Sequence, residues 1–141
     1  MLPRFLFFLS IFFIAVSCEQ DDPCKGFELG KPFEIDARET VKNCLEDISI
    51  TMLPVEYDSR CPLGAMCVWA GYAKIDLLLS SLVKEISLSL STDPGLSQIP
   101  NKISVEGYSF QLIELNPYPA LGSEANPKEY KAKLLIESVL P

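Results

Sequence analysis

Glu85-Ile86-Ser87-Leu88-Ser89-Leu90-Ser91 alternates charged or small polar residues with apolar ones, without a break. In an extended chain successive side chains point to opposite faces, so Ile86, Leu88 and Leu90 share one face and the serines the other. A period of two predicts a half-buried strand. The same grammar recurs on both sides, in short apolar runs set apart by Gly, Pro, Asn and Asp. Strands are expected at Phe33–Asp36, Asp47–Val55, Val68–Leu79, Lys102–Val105, Tyr108–Leu115 and Tyr130–Glu137. Asp93-Pro94-Gly95 reads as a turn, Gly107 as a hairpin turn or bulge, and Asn116-Pro117-Tyr118-Pro119 as a stiff loop. Cys44-Leu45-Glu46 could close one helical turn; no run is long enough for an amphipathic helix. The expected fold class is all-β, a small antiparallel β-sandwich or barrel-like domain.

Ahead of this domain stands a different kind of segment. Arg4 is followed by an apolar run from Phe5 to Val16 that only Ser10 interrupts, the layout of a secretory signal peptide. A helix needs about 20 apolar residues to cross a bilayer, so this run is too short for a permanent anchor. Its last residues, Ala15-Val16-Ser17-Cys18, resemble a lipobox, in which small residues precede a cysteine that is acylated and becomes the new amino terminus. Alanine stands at position 15, where that pattern favours leucine.

The chain has five cysteines, and an odd count in an exported protein leaves one thiol over. Assigning Cys18 to the lipid removes the oddity. The other four, Cys24, Cys44, Cys61 and Cys67, are expected to pair in an oxidising compartment. Of three pairings, Cys61 with Cys67 and Cys24 with Cys44 each close a local loop, contributing about 2 to 3.5 kcal/mol apiece by chain entropy. The division is then a signal peptide at 1–17, a lipidated acidic tether at 18–25 and one β domain at 26–141. Glu19-Gln20-Asp21-Asp22 in the tether resembles the signal by which some bacteria send lipoproteins to the outer face of the outer membrane; a plain soluble spacer is the alternative. The expected location is the bacterial cell envelope, at the outer membrane, on its periplasmic or surface face.

The formal net charge is −7, and cleavage before Cys18 would remove a further positive charge, Arg4. So acidic a chain is repelled by phosphate backbones, which excludes nucleic acid as a partner. There is no histidine, so the commonest general base and transition-metal ligand are both missing. No catalytic residue, metal or cofactor is expected, and the reading is non-enzymatic. Ser81 and Lys84 have a spacing used by serine–lysine hydrolases, but they lie between two strands rather than on a helix. Glu46 with Asp47, or Glu28 with Glu34, would serve a two-carboxylate hydrolase only if a cleft gathered them; solvated acids are the commoner case.

Most information lies in Asp58-Ser59-Arg60-Cys61-Pro62, four spacer residues, then Cys67-Val68-Trp69-Ala70-Gly71. A Cys61–Cys67 bond would staple the corner between two strands, with Pro62 and Gly64 supplying the bend. Asp58 and Arg60 fall on the same side of an extended chain, positions suited to an ion pair or to bonds with a neighbouring loop. Trp69, the only tryptophan, is expected in the core beside the disulfide, with ligand stacking as the alternative. The Cys61–Cys67 spacing exceeds the two-residue gap of thiol oxidoreductases, so a redox role is disfavoured.

This run resembles a motif of small exported proteins and lipoproteins of bacteria to which no activity is assigned. The likeness takes in the NPYP loop at 116–119 and the YKAKLLIE run at 130–137. It implies a compact β fold and no mechanism. The leading functional expectation is a lipid-anchored binding or structural module with a possible protein partner in the envelope. Its contact residues would lie on the stapled and proline-stiffened loops: Leu63, Met66, Trp69 and Tyr118. A cell-envelope hydrolase using two acids, or a protease inhibitor presenting a constrained loop, are the alternatives.

Overall fold

The computed structural model describes residues 26–123 and 126–139. The expected signal peptide and tether, with Cys18 and Cys24, lie outside the described residues. The strands are β1 (Phe33–Asp36), β2 (Thr40–Lys42), β3 (Ile48–Met52), β4 (Tyr57–Asp58), β5 (Ala73–Ser81), β6 (Glu85–Ser91), β7 (Lys102–Val105), β8 (Tyr108–Asn116) and β9 (Lys131–Ser138), with a short helix, α1 (Pro94–Ser97), between β6 and β7. All strand pairs are antiparallel.

One sheet has the order β1-β9-β8-β7. In the other, β6 runs along one edge of β5, while β3 and β4 share its second edge, and β2 pairs with β3. The two sheets pack face to face as a sandwich, the expected all-β architecture. Alternation builds the core. Ala73, Ile75, Leu77 and Leu79 of β5, Ile48, Ile50 and Met52 of β3, and Leu88 and Leu90 of β6 are buried against Phe110, Leu112 and Leu115 of β8 and Ala132, Leu134 and Ile136 of β9. In β8 a bulge between Leu112 and Glu114 flips the inward parity, so Ile113 is turned out and Leu115 in.

Register also defines the ends of the molecule. Ile48 pairs with Ser81 at one end of β5, and Asp58 pairs with Ala73 at the other. The described chain enters at the first, proximal end, where the Phe27 amide donates to the Lys42 carbonyl. The 44–47 loop, the β5–β6 hairpin tip and the β7–β8 turn all lie there. That last turn, Glu106-Gly107, has positive φ at both residues (51° and 81°), the mirror-image two-residue turn that matches strand twist. The distal end carries the 59–72 and 117–123 loops and α1.

Several local expectations are corrected. The strand expected over Val68–Leu79 begins only at Ala73, because Gly71 takes φ +68° and turns the chain. Asp93-Pro94-Gly95 is the start of α1, with the Asp93 carboxylate capping the amides of Gly95 and Leu96. Cys44–Glu46 is not helical; Asn43 Oδ1 accepts from the amides of Leu45 and Glu46 and holds a bend there. The strand expected over Asp47–Val55 is the shorter β3. Neither β2 nor β4 was anticipated.

Candidate functional site

Two loops more than fifty positions apart in the chain meet at the distal end. The first is closed by the Cys61–Cys67 disulfide, whose Cα atoms are 5.9 Å apart. Within it the Ala65 amide donates to the Pro62 carbonyl, completing a turn at Pro62–Ala65. The returning strand of the loop is tied to the outgoing one: Ser59 N donates to Tyr72 O and Cys61 N to Ala70 O, 2.9 and 2.8 Å. Gly71 permits this closeness, since a Cβ there would stand 1.8 Å from the Ser59 carbonyl oxygen. The second loop, after the cis Asn116-Pro117 bond, docks on the first. Leu63 N donates to Pro119 O (2.9 Å) and Leu121 N to Leu63 O (3.2 Å), a short parallel bridge.

Beneath both loops lies Arg60, only 7 % exposed. Its guanidinium holds the Asp58 carboxylate in a fork, Nε to Oδ1 at 2.9 Å and Nη2 to Oδ2 at 2.6 Å. Nη1 donates to Leu115 O (2.7 Å) and Nη2 to Pro117 O (2.8 Å), and the Tyr118 ring lies 4.7 Å away from the guanidinium carbon. Asp58 also accepts from its neighbour's backbone, Arg60 N, and from the Tyr130 hydroxyl at 2.8 Å. One buried cation thus fastens the end of β8, the proline loop and β4 together. Burial pushes the Asp58 pKa up, but the hydrogen bonds from Arg60 and Tyr130 outweigh it and leave the carboxyl below its ordinary value. Tyr130 is pushed up to about 12 by burial, then by its bond to the Asp58 anion.

Above this polar clamp the surface is apolar. Leu63, Met66, Val68 and Leu121 are exposed, Met66 completely, and Tyr118 is half-exposed. Trp69 is 76 % exposed, contrary to the core position expected from its place beside the disulfide. The strand begins only at Ala73, after Trp69, and the loop holds the ring outside. Cys67, Val68, Trp69, Tyr72 and Leu96 line an open groove of about 430 Å³. The Tyr57 and Tyr72 rings pack 4.9 Å apart along the β4–β5 margin.

Leu63, Met66, Trp69 and Tyr118 therefore all stand at one end, as two adjoining loops. Val68, Leu96 and Leu121 join them without having been singled out; Val68 and Leu121 sit in apolar dipeptides, a signal equally consistent with burial. Cys44 is disulfide-bonded, and its expected partner Cys24 lies outside the described residues.

Of the acids considered for hydrolysis, Glu46 and Asp47 line one open groove at the proximal end, and Glu28 and Glu34 lie outside it. Glu28 pairs with Lys31 and Glu34 with Lys131, all on the surface. Glu46 receives the Tyr108 hydroxyl. Ser81 and Lys84 face each other across the β5–β6 turn through Ser81 N and Oγ to Lys84 O, while the lysine ammonium pairs with Glu106. Those bonds engage the Lys84 carbonyl and hold the turn. Comparison with protein-family models, with curated proteins and with solved structures finds no match.

Proposed function

We propose that this chain is a lipid-anchored bacterial envelope protein whose distal loop pair binds a protein partner through apolar contacts, without catalysis. The observation that carries this reading is the division of labour at the distal end. A buried Asp58–Arg60–Tyr130 cluster and a disulfide rigidify two loops whose large apolar side chains, Leu63, Met66, Val68, Trp69 and Leu121, have no place in the core. Rigid loops lose little entropy on binding, and exposed aromatic and methionine side chains suit the desolvated centre of an interface. In this reading Cys18 carries the lipid, Cys24 bonds Cys44, and the partner offers an apolar recess for Trp69.

Two measurements test it. Mass spectrometry of the protein extracted from membranes is expected to find acyl groups at Cys18 and the four other cysteines joined in two disulfides. A photo-crosslinking side chain placed at Met66 in living cells should give a discrete adduct that disappears when Trp69→Asp is added, whereas one at Glu114 gives none. Equal adducts at both positions would defeat the assignment. Leu63 and Met66 exposed on a stapled loop also favour a narrower version, inhibition of a peptidase by that loop. Loss of a peptidase's activity on adding the protein, restored by reduction of the loop, would support it.

A further inference from the structure

A second set of exposed apolar side chains lies at the opposite end. Leu82 and Val83 form the tip of the β5–β6 hairpin, at 82 % and 94 % exposure, and Leu45 is 93 % exposed on the neighbouring 44–47 loop. They are neighbours because Ile48 pairs directly with Ser81, and one groove runs from Asn43 and Glu46 to Leu82. Turn chemistry does not account for them. The turn is closed by Ser81 and Lys84, and its two central positions favour Gly, Asn, Asp or Pro rather than leucine and valine. Nor does the core, which none of the three enters.

We infer that Leu45, Leu82 and Val83 insert into the bilayer that holds the chain's own lipid, standing the sandwich upright with its stapled loops pointing away from the membrane. This inference rests on the anchor at Cys18 proposed above. What selects the proximal end is reach. The described chain begins at Gly26, beside Phe27, which is bonded to Lys42 and Cys44 at that end. Eight residues from Cys18 to Gly26 span at most about 29 Å, and six, if Cys24 is bonded to Cys44, about 22 Å. β5 alone, with nine residues, is about 27 Å long, and the stapled loop extends beyond it. The tether of about 22 Å brings the proximal end to the membrane and is shorter than β5, so it does not let an upright sandwich stand on its distal end. The charged groups around the tip are mixed, Lys42, Lys84, Glu46, Asp47, Glu85 and Glu106, so insertion is driven by apolar burial and not by attraction to anionic head groups.

The single tryptophan supplies the test. The full chain, made in a host that acylates it, is reconstituted in phosphatidylethanolamine–phosphatidylglycerol vesicles whose acyl chains carry bromine, a quencher of indole emission. It is compared with a Trp69→Phe, Val83→Trp double variant; both positions are exposed, so folding is undisturbed, as circular dichroism would verify. The expected result is quenched, blue-shifted emission from the double variant that persists in high salt, and unquenched emission from Trp69 in the unaltered chain. Flotation with the vesicles reads the anchor separately. A chain that floats while the introduced indole stays unquenched, or while Trp69 is the quenched one, overturns the orientation and leaves the anchor standing. A chain that neither carries acyl groups nor floats overturns both.

Discussion

Replacing Arg60 by methionine would keep most of its volume and leave Asp58 as a buried carboxylate with only the Tyr130 hydroxyl and a backbone amide for partners. Removing one member of a buried pair costs about 3 to 5 kcal/mol, and Arg60→Met is expected to fall in that range in chemical denaturation. Arg60→Lys should recover only part, because an ammonium cannot hold Asp58 as a fork while also reaching the carbonyls of Leu115 and Pro117. The same cluster sets the pH limits of the fold. Asp58 has a folded pKa below its ordinary 3.8, so the stability it contributes is present above 3.8 and is lost as pH falls through the folded value. Tyr130 has the opposite sign: raised from 10.0 to about 12, it stabilises below pH 10.0 and that contribution drains away between 10.0 and about 12. Melting temperature followed from pH 9 upward should show an alkaline decline that Tyr130→Phe makes smaller, the remainder coming from Tyr72 and Tyr108, whose pKa values are also raised. A decline of unchanged size in that variant would assign it to other groups.

Among the elements, the 59–72 hairpin is the one in which a single atom should matter most. An alanine at position 71 would meet the Ser59 carbonyl and also carry a left-handed backbone, which alone costs an L residue roughly 1 to 2 kcal/mol. Gly71→Ala is therefore expected to destabilise by more than that, and to expose the Cys61–Cys67 bond to reductant faster than in the unaltered chain. Equal reduction rates would show that the backbone ties across the hairpin do not protect it.

This hairpin also shows where sequence reading fails. Residues 85–91 alternate strictly, and β6 matches them residue for residue. Val68–Tyr72 lacks a charged residue on either parity, which reads equally as the start of the buried strand or as an exposed loop ahead of it. Only the close approach of the Ser59 carbonyl, which leaves no room for a Cβ at the turning Gly71, distinguishes them. In β8 the dense run Leu112–Leu115 hides a bulge for the same reason, and β2 and β4 are too short to show any period.

At the scale of the whole molecule, the two-sheet sandwich was legible because period-two runs and turn residues alternate along almost the entire domain. Legible too were the Cys61–Cys67 staple and the pairing of Asp58 with Arg60, both of which are local in the chain. The adjacency of the two distal loops was not, since it depends on Arg60 reaching carbonyls at Leu115 and Pro117 across the sheets. The apolar tip at Leu82 and Val83 was not legible either, because two apolar residues between strands look like a continuation of either one.

The placement of Gly26 at one end of the strands and the stapled loop at the other has a mechanical corollary. Tension between those two points is directed parallel to the strands. The ladder hydrogen bonds would be strained together in shear, not peeled open one after another, and the sandwich is thereby suited to act as a stiff strut.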